Sequence, residues 1–106
     1  MSLLSVAACA RAPKFDTAYQ AVLLDNGQVY YGKIQGLGTD LPVLTDIYYI
    51  QNGVNPQTKE TTNVLVHRGN ELHAPDHMVI NARHIILVEP VSPTSKVAEL
   101  IAQTKK

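Results

Sequence analysis

YQAVLLDNGQVYYGKIQGLGTDLPVLTDIYYI, residues 19–50, is the stretch on which the fold turns. Residues 19–24 alternate, with Val22 and Leu24 on one face and Ala21 and Leu23 on the other. Apolar side chains on both faces mark a strand covered on both sides. Asn26-Gly27 follows directly. Asn-Gly is a strong hairpin signal, because a type I′ turn needs positive φ at both central residues. A second strand is predicted over residues 29–37, with Tyr30, Gly32 and Ile34 inward and Lys33 and Gln35 outward. Gly32 and Gly36 within it suit a bend or a bulge. A turn over residues 36–40 leads to a third strand at residues 43–50, rich in the β-branched and aromatic residues that strands favour.

Beyond this meander, the polar segment QNGVNPQTKET, residues 51–61, contains Asn-Gly and Asn-Pro and reads as a surface loop. Short strands are expected at residues 64–67, 78–80 and 85–88, with an irregular segment over residues 68–76. Ser92-Pro93 reads as the N-cap and first residue of a helix over about residues 93–104. Val97, Leu100 and Ile101 give that helix an i, i+3, i+4 docking stripe, and Lys105 and Lys106 sit at the negative end of its dipole. The pattern predicts one mainly β domain over residues 15–106. Its expected form is a small SH3-like or Sm-like antiparallel barrel of five or six strands with a C-terminal helix.

A chain of 106 residues holds one core and little more. Nine Lys and Arg balance nine Asp and Glu, so the basic surplus of a protein that grips nucleic acid through its phosphates is missing. The single cysteine, Cys9, excludes an internal disulfide and a cysteine-based zinc site. Residues 1–14, MSLLSVAACARAPK, stand outside the predicted core. They read either as the remnant of a signal or membrane anchor, or as a plain tail with a free thiol. Val6-Ala7-Ala8-Cys9 resembles a bacterial lipobox and makes Cys9 the candidate lipidation site. The apolar run is shorter than a secretory core of 7–15 residues.

Candidate chemistry falls on two groups of residues. Tyr30-Tyr31 and Tyr48-Tyr49 lie on adjacent strands, and one member of each pair is expected to point outward. Tyr31 and Tyr48, as the outward pair, would either stack a base or a peptide or simply stabilise the sheet. The segment GNELHAPD, residues 69–76, with His77 supplies Glu71, His73, Asp76 and His77 as a candidate ligand or partner surface. Its structural alternative has Asn70 and Asp76 capping turns and Leu72 plugging the end of the barrel. His67, His73, His77 and His84 with Glu71 and Asp76 are the only metal-type set. Ala74-Pro75-Asp76 keeps His73 and His77 off a common helix face, and no HExxH or Cys/His framework is present. No metal, cofactor or catalytic set is therefore expected, and no enzyme activity.

Leu24–x–x–Gly27 followed by Gly32-Lys33-Ile34 resembles the first signature of the Sm and Sm-like RNA-binding proteins, and residues 79–86, VINARHII, stand where their second signature falls. The resemblance implies the barrel. The residues that read RNA in that family are replaced, by Asp40-Leu41-Pro42 in the loop before the third strand and by Asn81-Ala82 in place of Arg-Gly. The chain is also similar to small envelope-anchored bacterial proteins of no assigned activity, which share the patterns YQAVxLxNGQVYFGK, LTDxYYxQ and, opening a third stretch, GNELHxP. Here the matching stretches are residues 19–33, 44–51 and 69–81. That likeness implies a non-enzymatic module in the bacterial cell envelope, acting through a protein partner or a second copy of itself. The alternative is an Sm-like ring on single-stranded RNA, with membrane association in either case only through the N-terminus.

Overall fold

The structure is a computed structural model, and it describes residues 14–105. Six strands form one antiparallel sheet: β1 (Gln20–Leu24), β2 (Val29–Gln35), β3 (Val43–Val54), β4 (Thr61–His67), β5 (His77–Val79) and β6 (Ile85–Pro90). A 3-10 turn, Ala82–His84, joins β5 to β6, and one helix, α1 (Lys96–Thr104), follows. The strand order is β4-β3-β2-β1-β6, and β5 pairs with the first residues of β3, beyond the stretch where β4 pairs.

The β1–β2 hairpin forms at Asn26-Gly27, but not through the expected type I′ turn. Positive φ is confined to Gly27, at 87°, and Asn26 does not share it. The Gly27 N–H donates to Leu24 O at 3.0 Å and the Leu24 N–H to Gln28 O at 2.9 Å. This is a tight turn closed by a left-handed glycine, the other common hairpin solution. Asn26 contributes its side chain, whose Oδ1 accepts from the Gln28 N–H at 2.9 Å.

β2 carries the expected bulge. Its register with β3 shifts between Tyr31 and Lys33, at Gly32. A Cβ on Gly32 would stand 2.8 Å from both Leu44 Cγ and the Thr45 carbonyl oxygen. Only glycine lets β3 approach that closely. The loop expected over residues 51–61 is shorter, with residues 51–54 and 61 in strands. Asn52 pairs with Asn63 and Gly53 with Thr62, so Asn52-Gly53 lies inside the β3–β4 ladder rather than at its turn. The reversal comes at Asn55. Its Oδ1 accepts from the Gln57 N–H at 2.9 Å, and Asn55 N–H to Glu60 O closes the loop at 2.8 Å. An Asx turn ahead of proline prevails over the Asn-Gly signal.

Val22, Leu44, Ile47 and Ile80 form the buried core, with Leu24, Tyr30, Ile34, Met78, Ile85 and Val88 packed around it. Each buried aliphatic side chain here stabilises the fold by roughly 1.5–3 kcal/mol. β5 and β6, far apart in the strand order, thus pack on the same core. The ladder itself stays open: among the described residues no pairing joins β6 to β4 or β5. The expected closure is absent because the chain after β5 bonds elsewhere. Ile80 N–H donates to Pro42 O at 2.9 Å and Ala82 N–H to Asp40 O at 3.0 Å, tying this segment to the β2–β3 connection.

The helix begins three residues later than Ser92-Pro93 predicts. Ser92 closes a turn, accepting from the Ser95 N–H at 3.0 Å through its carbonyl. Ser95 is the N-cap, its Oγ accepting from the Ala98 N–H at 3.1 Å. The predicted stripe holds, with Ile101 buried and Val97 and Leu100 half-buried.

Candidate functional site

The sequence-nominated residues do not meet at one place. Tyr48 is buried, at 1% exposure, and offers no outward face. Asp46 just before it has a φ of 50°, and after it Ile47 and Tyr48 alternate onto opposite sides of the sheet, both buried. Ile47 enters the core. Tyr48 packs on the other side of the sheet, edge-on to Tyr19 with centroids 6.1 Å apart and stacked on His67 at 4.5 Å. Tyr31 is half-buried and stands opposite Ala21 and Tyr48.

Of the loop residues, Glu71 is half-buried and Asp76 and His77 are exposed. Glu71 Oε1 accepts from the Gly69 N–H at 2.9 Å, which holds its carboxyl below the usual carboxylate range, with Arg68 assisting. Leu72 is fully exposed and plugs nothing. His73 is exposed. Asp76 pairs with His77 Nδ1 at 2.6 Å, and that hydrogen bond lowers the Asp76 carboxyl. Three of the four histidines each meet a different aspartate: His67 with Asp46 at 3.2 Å, His77 with Asp76, and His84 with Asp25 at 2.8 Å. The described residues contain no group of three His, Cys, Asp or Glu that would hold a metal ion. The Cys9 and anchor readings lie outside the described residues.

The most organised polar cluster was not nominated from the sequence. It centres on Asp46. Its carboxylate accepts from the Tyr19 hydroxyl and from Lys105 Nζ at 2.8 Å, and His67 Nε2 lies 3.2 Å from it. Burial pushes the Asp46 carboxyl up, but the hydrogen bonds from Lys105 and Tyr19 outweigh it and hold the group below its ordinary value. The bond to Asp46 raises the Lys105 ammonium well above the usual lysine range. Burial, then the bond to Asp46, raises the Tyr19 phenol, and burial, then the charge of Asp46, raises Tyr48. Around neutral pH Asp46 is thus an ionised carboxylate, Lys105 a charged ammonium, and Tyr19 and Tyr48 neutral phenols. The cluster's visible consequence is mechanical: it pins the C-terminal end of α1 to β3. The signal in the sequence was a lone aspartate in the β-branched run Val43–Ile50, where charge is otherwise absent.

Asp46, His67, Arg68 and Asp76 line a cleft of about 410 Å³ with Ala74 and Pro75. Ala74 has a φ of 46°, so two of the three non-glycine residues with positive φ among the described residues lie on this cleft. Arg68 stacks its guanidinium 6.0 Å over the Tyr30 ring and stands 3.8 Å from Glu71 Oε2. The cleft wall therefore carries both signs of charge, which suits a mixed polar contact rather than a single anion or cation.

Among the described residues the sheet ends on two edges. β4 and β5 each have β3 on one side only, and β6 has β1 on one side only. β6 closes with Glu89-Pro90, two residues that blunt an edge. β4, TTNVLVH, has no Lys, Arg, Asp, Glu or Pro, and Val64 on it is 56% exposed. Among the described residues no helix is long and apolar enough to cross a membrane. Compared with family models and with curated proteins, the chain matches none.

Proposed function

We propose that this protein is a non-enzymatic binding module of the small-barrel type that works through protein contacts along an open strand edge. The observation that carries the reading is β4: a seven-residue outer strand with no charged residue or proline to guard it. Such an edge is a ready template for an added strand, with backbone hydrogen bonds for affinity and alternate side chains for selectivity. The small-barrel type is supported by the order β6-β1-β2-β3-β5, the 3-10 turn between the last two strands, and one core shared by all five. A photoreactive residue at position 64 of the full chain should form a discrete protein adduct in cells, while the same group at the exposed Lys33 should not. Equal labelling from both positions would remove the edge as the binding surface.

Attachment to the bacterial envelope belongs to the same reading and rests on Val6-Ala7-Ala8-Cys9. Labelled fatty acid should enter the protein and be lost in Cys9→Ser; a label independent of Cys9 would overturn it.

The Sm-like RNA reading stands second. One observation favours it: the Ala82 N–H to Asp40 O bond brings together the two segments at which that family reads a base. Their chemistry here opposes it. Asp40 adds a carboxylate that repels phosphate, and Asn81 Oδ1 accepts from the Arg83 N–H at 3.1 Å, which engages it in capping. Retention of single-stranded RNA falling steeply with salt is the test.

A further inference from the structure

The open edge of β4 is complementary to itself, and its complementarity has a definite register. Two hydrogen bonds fix which backbone groups are free. At one end of the β3–β4 ladder Arg68 N–H donates to Ile47 O at 2.8 Å; at the other, Asn55 N–H donates to Glu60 O at 2.8 Å. Hydrogen-bonded and non-hydrogen-bonded pairs alternate along an antiparallel ladder. With the observed register, the bonded pairs between those ends are Tyr49 with Val66, Gln51 with Val64, and Gly53 with Thr62. Thr62, Val64 and Val66 therefore spend their N–H and C=O groups on β3. Those of Thr61, Asn63, Leu65 and His67 point away from it, where no strand lies among the described residues.

We propose that β4 pairs antiparallel with β4 of a second copy about a two-fold axis at Val64. This rests on the edge-binding reading above and names its partner. In that register Thr61 faces His67, Thr62 faces Val66 and Asn63 faces Leu65 of the other copy, and Val64 faces Val64. All four residues with outward backbone groups then meet each other, and the strand is used over its full length. Centring on Asn63 instead sets His67 against Lys59, whose φ of 64° lies in the hairpin turn. Centring on Leu65 sets Thr61 against Gly69, at φ 143°. Val64 alternates with Leu65 onto the same side as Val66, so the two-fold contact is a β-branched cross-strand pair, which antiparallel sheets favour. The strand is uncharged and the chain has a formal net charge of zero, so two copies meet without repulsion. Glu89-Pro90 makes the β6 edge the poorer site. An isologous contact of this kind closes at two copies rather than growing.

The test uses the full chain in a Cys9→Ser background. Val64 opposite Val64 is a non-hydrogen-bonded pair, with Cα atoms about 4.5 Å apart, inside the range of about 4.4–6.8 Å that a disulfide spans. V64C should therefore cross-link to itself under mild oxidation. T62C should not do so alone, but should link when mixed with V66C. N63P removes an outward N–H without touching the ladder to β3, so it should keep the β circular-dichroism signal and weaken the dimer at least about tenfold. Self-linking of T62C equal to that of V64C, or a dimer unchanged in N63P, would overturn the register and the edge. A monomer at all concentrations, with position 64 still capturing a different protein, would overturn self-pairing and leave the edge reading standing. No adduct of either kind would remove both.

Discussion

Lys105, the C-cap of the only described helix, reaches Asp46 on β3 across 59 residues of sequence at 2.8 Å. Asp46 has left the extended conformation of its strand for a φ of 50°. The two facts belong together. The left-handed kink, beside the buried pair Ile47 and Tyr48, is held by donors from the segment before β1 and the end of α1, with His67 at the end of β4 3.2 Å away.

Substitutions at Asp46 separate conformation from charge. Asn visits the left-handed region readily and Ala does not, a difference of about 1–2 kcal/mol. Losing the charged acceptor costs about 1–3 kcal/mol in either case. Asp46→Ala should thus be the more damaging by about 1–2 kcal/mol, with Asp46→Gly relieving the backbone and losing only the acceptor. Urea unfolding of the three variants gives the order; equal losses for Ala and Asn would show that the kink costs nothing.

Lys105 is half exposed, so its pair with Asp46 is screened and worth at most about 1 kcal/mol to overall stability. Lys105→Met should nonetheless release the last turn of α1, with faster amide exchange at residues 102–105 and little change in the sheet. A double-mutant cycle with Asp46→Asn should show coupling, since both substitutions remove the same bond.

The same cluster fixes the acid limb of stability. Asp46 is held below its ordinary value of 3.8 in the folded chain. A carboxyl lowered by folding contributes stability that is present above its unfolded pKa and is lost as pH falls through the folded one. Unfolding free energy should therefore decline below about pH 4. Lys105 is raised, so its contribution is present below 10.5 and is lost only as pH rises through its higher folded value. Asp46→Asn should flatten the acid limb. An unchanged slope would assign acid sensitivity to other carboxyls, with Glu71 and Asp76, also lowered, the first to examine.

Much of this was legible in residues 19–50. Alternation placed Tyr30 and Ile34 inward and Val22 and Leu24 on a common face, and the glycine at 32 marked the bulge, because both signals depend on neighbours in sequence. The failures were competitions between local signals or effects of distant ones. Asn52-Gly53 reads like a turn, yet Asn55-Pro56 a few residues on makes the better one, so the ladder runs past the first. Ser92 and Ser95 are both good caps, and the later one took the helix. Tyr48 does lie across the sheet from the core residue Ile47, as alternation expects, but Tyr19 and His67, gathered around the kink at Asp46, cover it. That kink is stabilised by Tyr19, His67 and Lys105, and no window of sequence contains all four.

Gly32 gives the sharpest test of the packing. Its φ is not positive, so Ala there meets no backbone penalty and would ordinarily stabilise by about 0.4–1 kcal/mol through the unfolded chain. Here the new Cβ stands 2.8 Å from Leu44 Cγ and 2.8 Å from the Thr45 oxygen. Overpacking of this kind costs about 1–3 kcal/mol. Gly27→Ala differs in kind: the space around it is open, but its φ of 87° should cost about 1–2 kcal/mol. Gly53→Ala meets only Thr62 Oγ1 at 3.0 Å, a hydroxyl that can rotate, and should be the mildest. Leu44→Val in the Gly32→Ala background discriminates further. If the side chain were the obstacle, trimming it would restore stability. Because the Thr45 carbonyl is backbone and cannot withdraw without moving β3, the double variant should stay unstable, and full rescue would show that β3 has freedom to shift at the bulge.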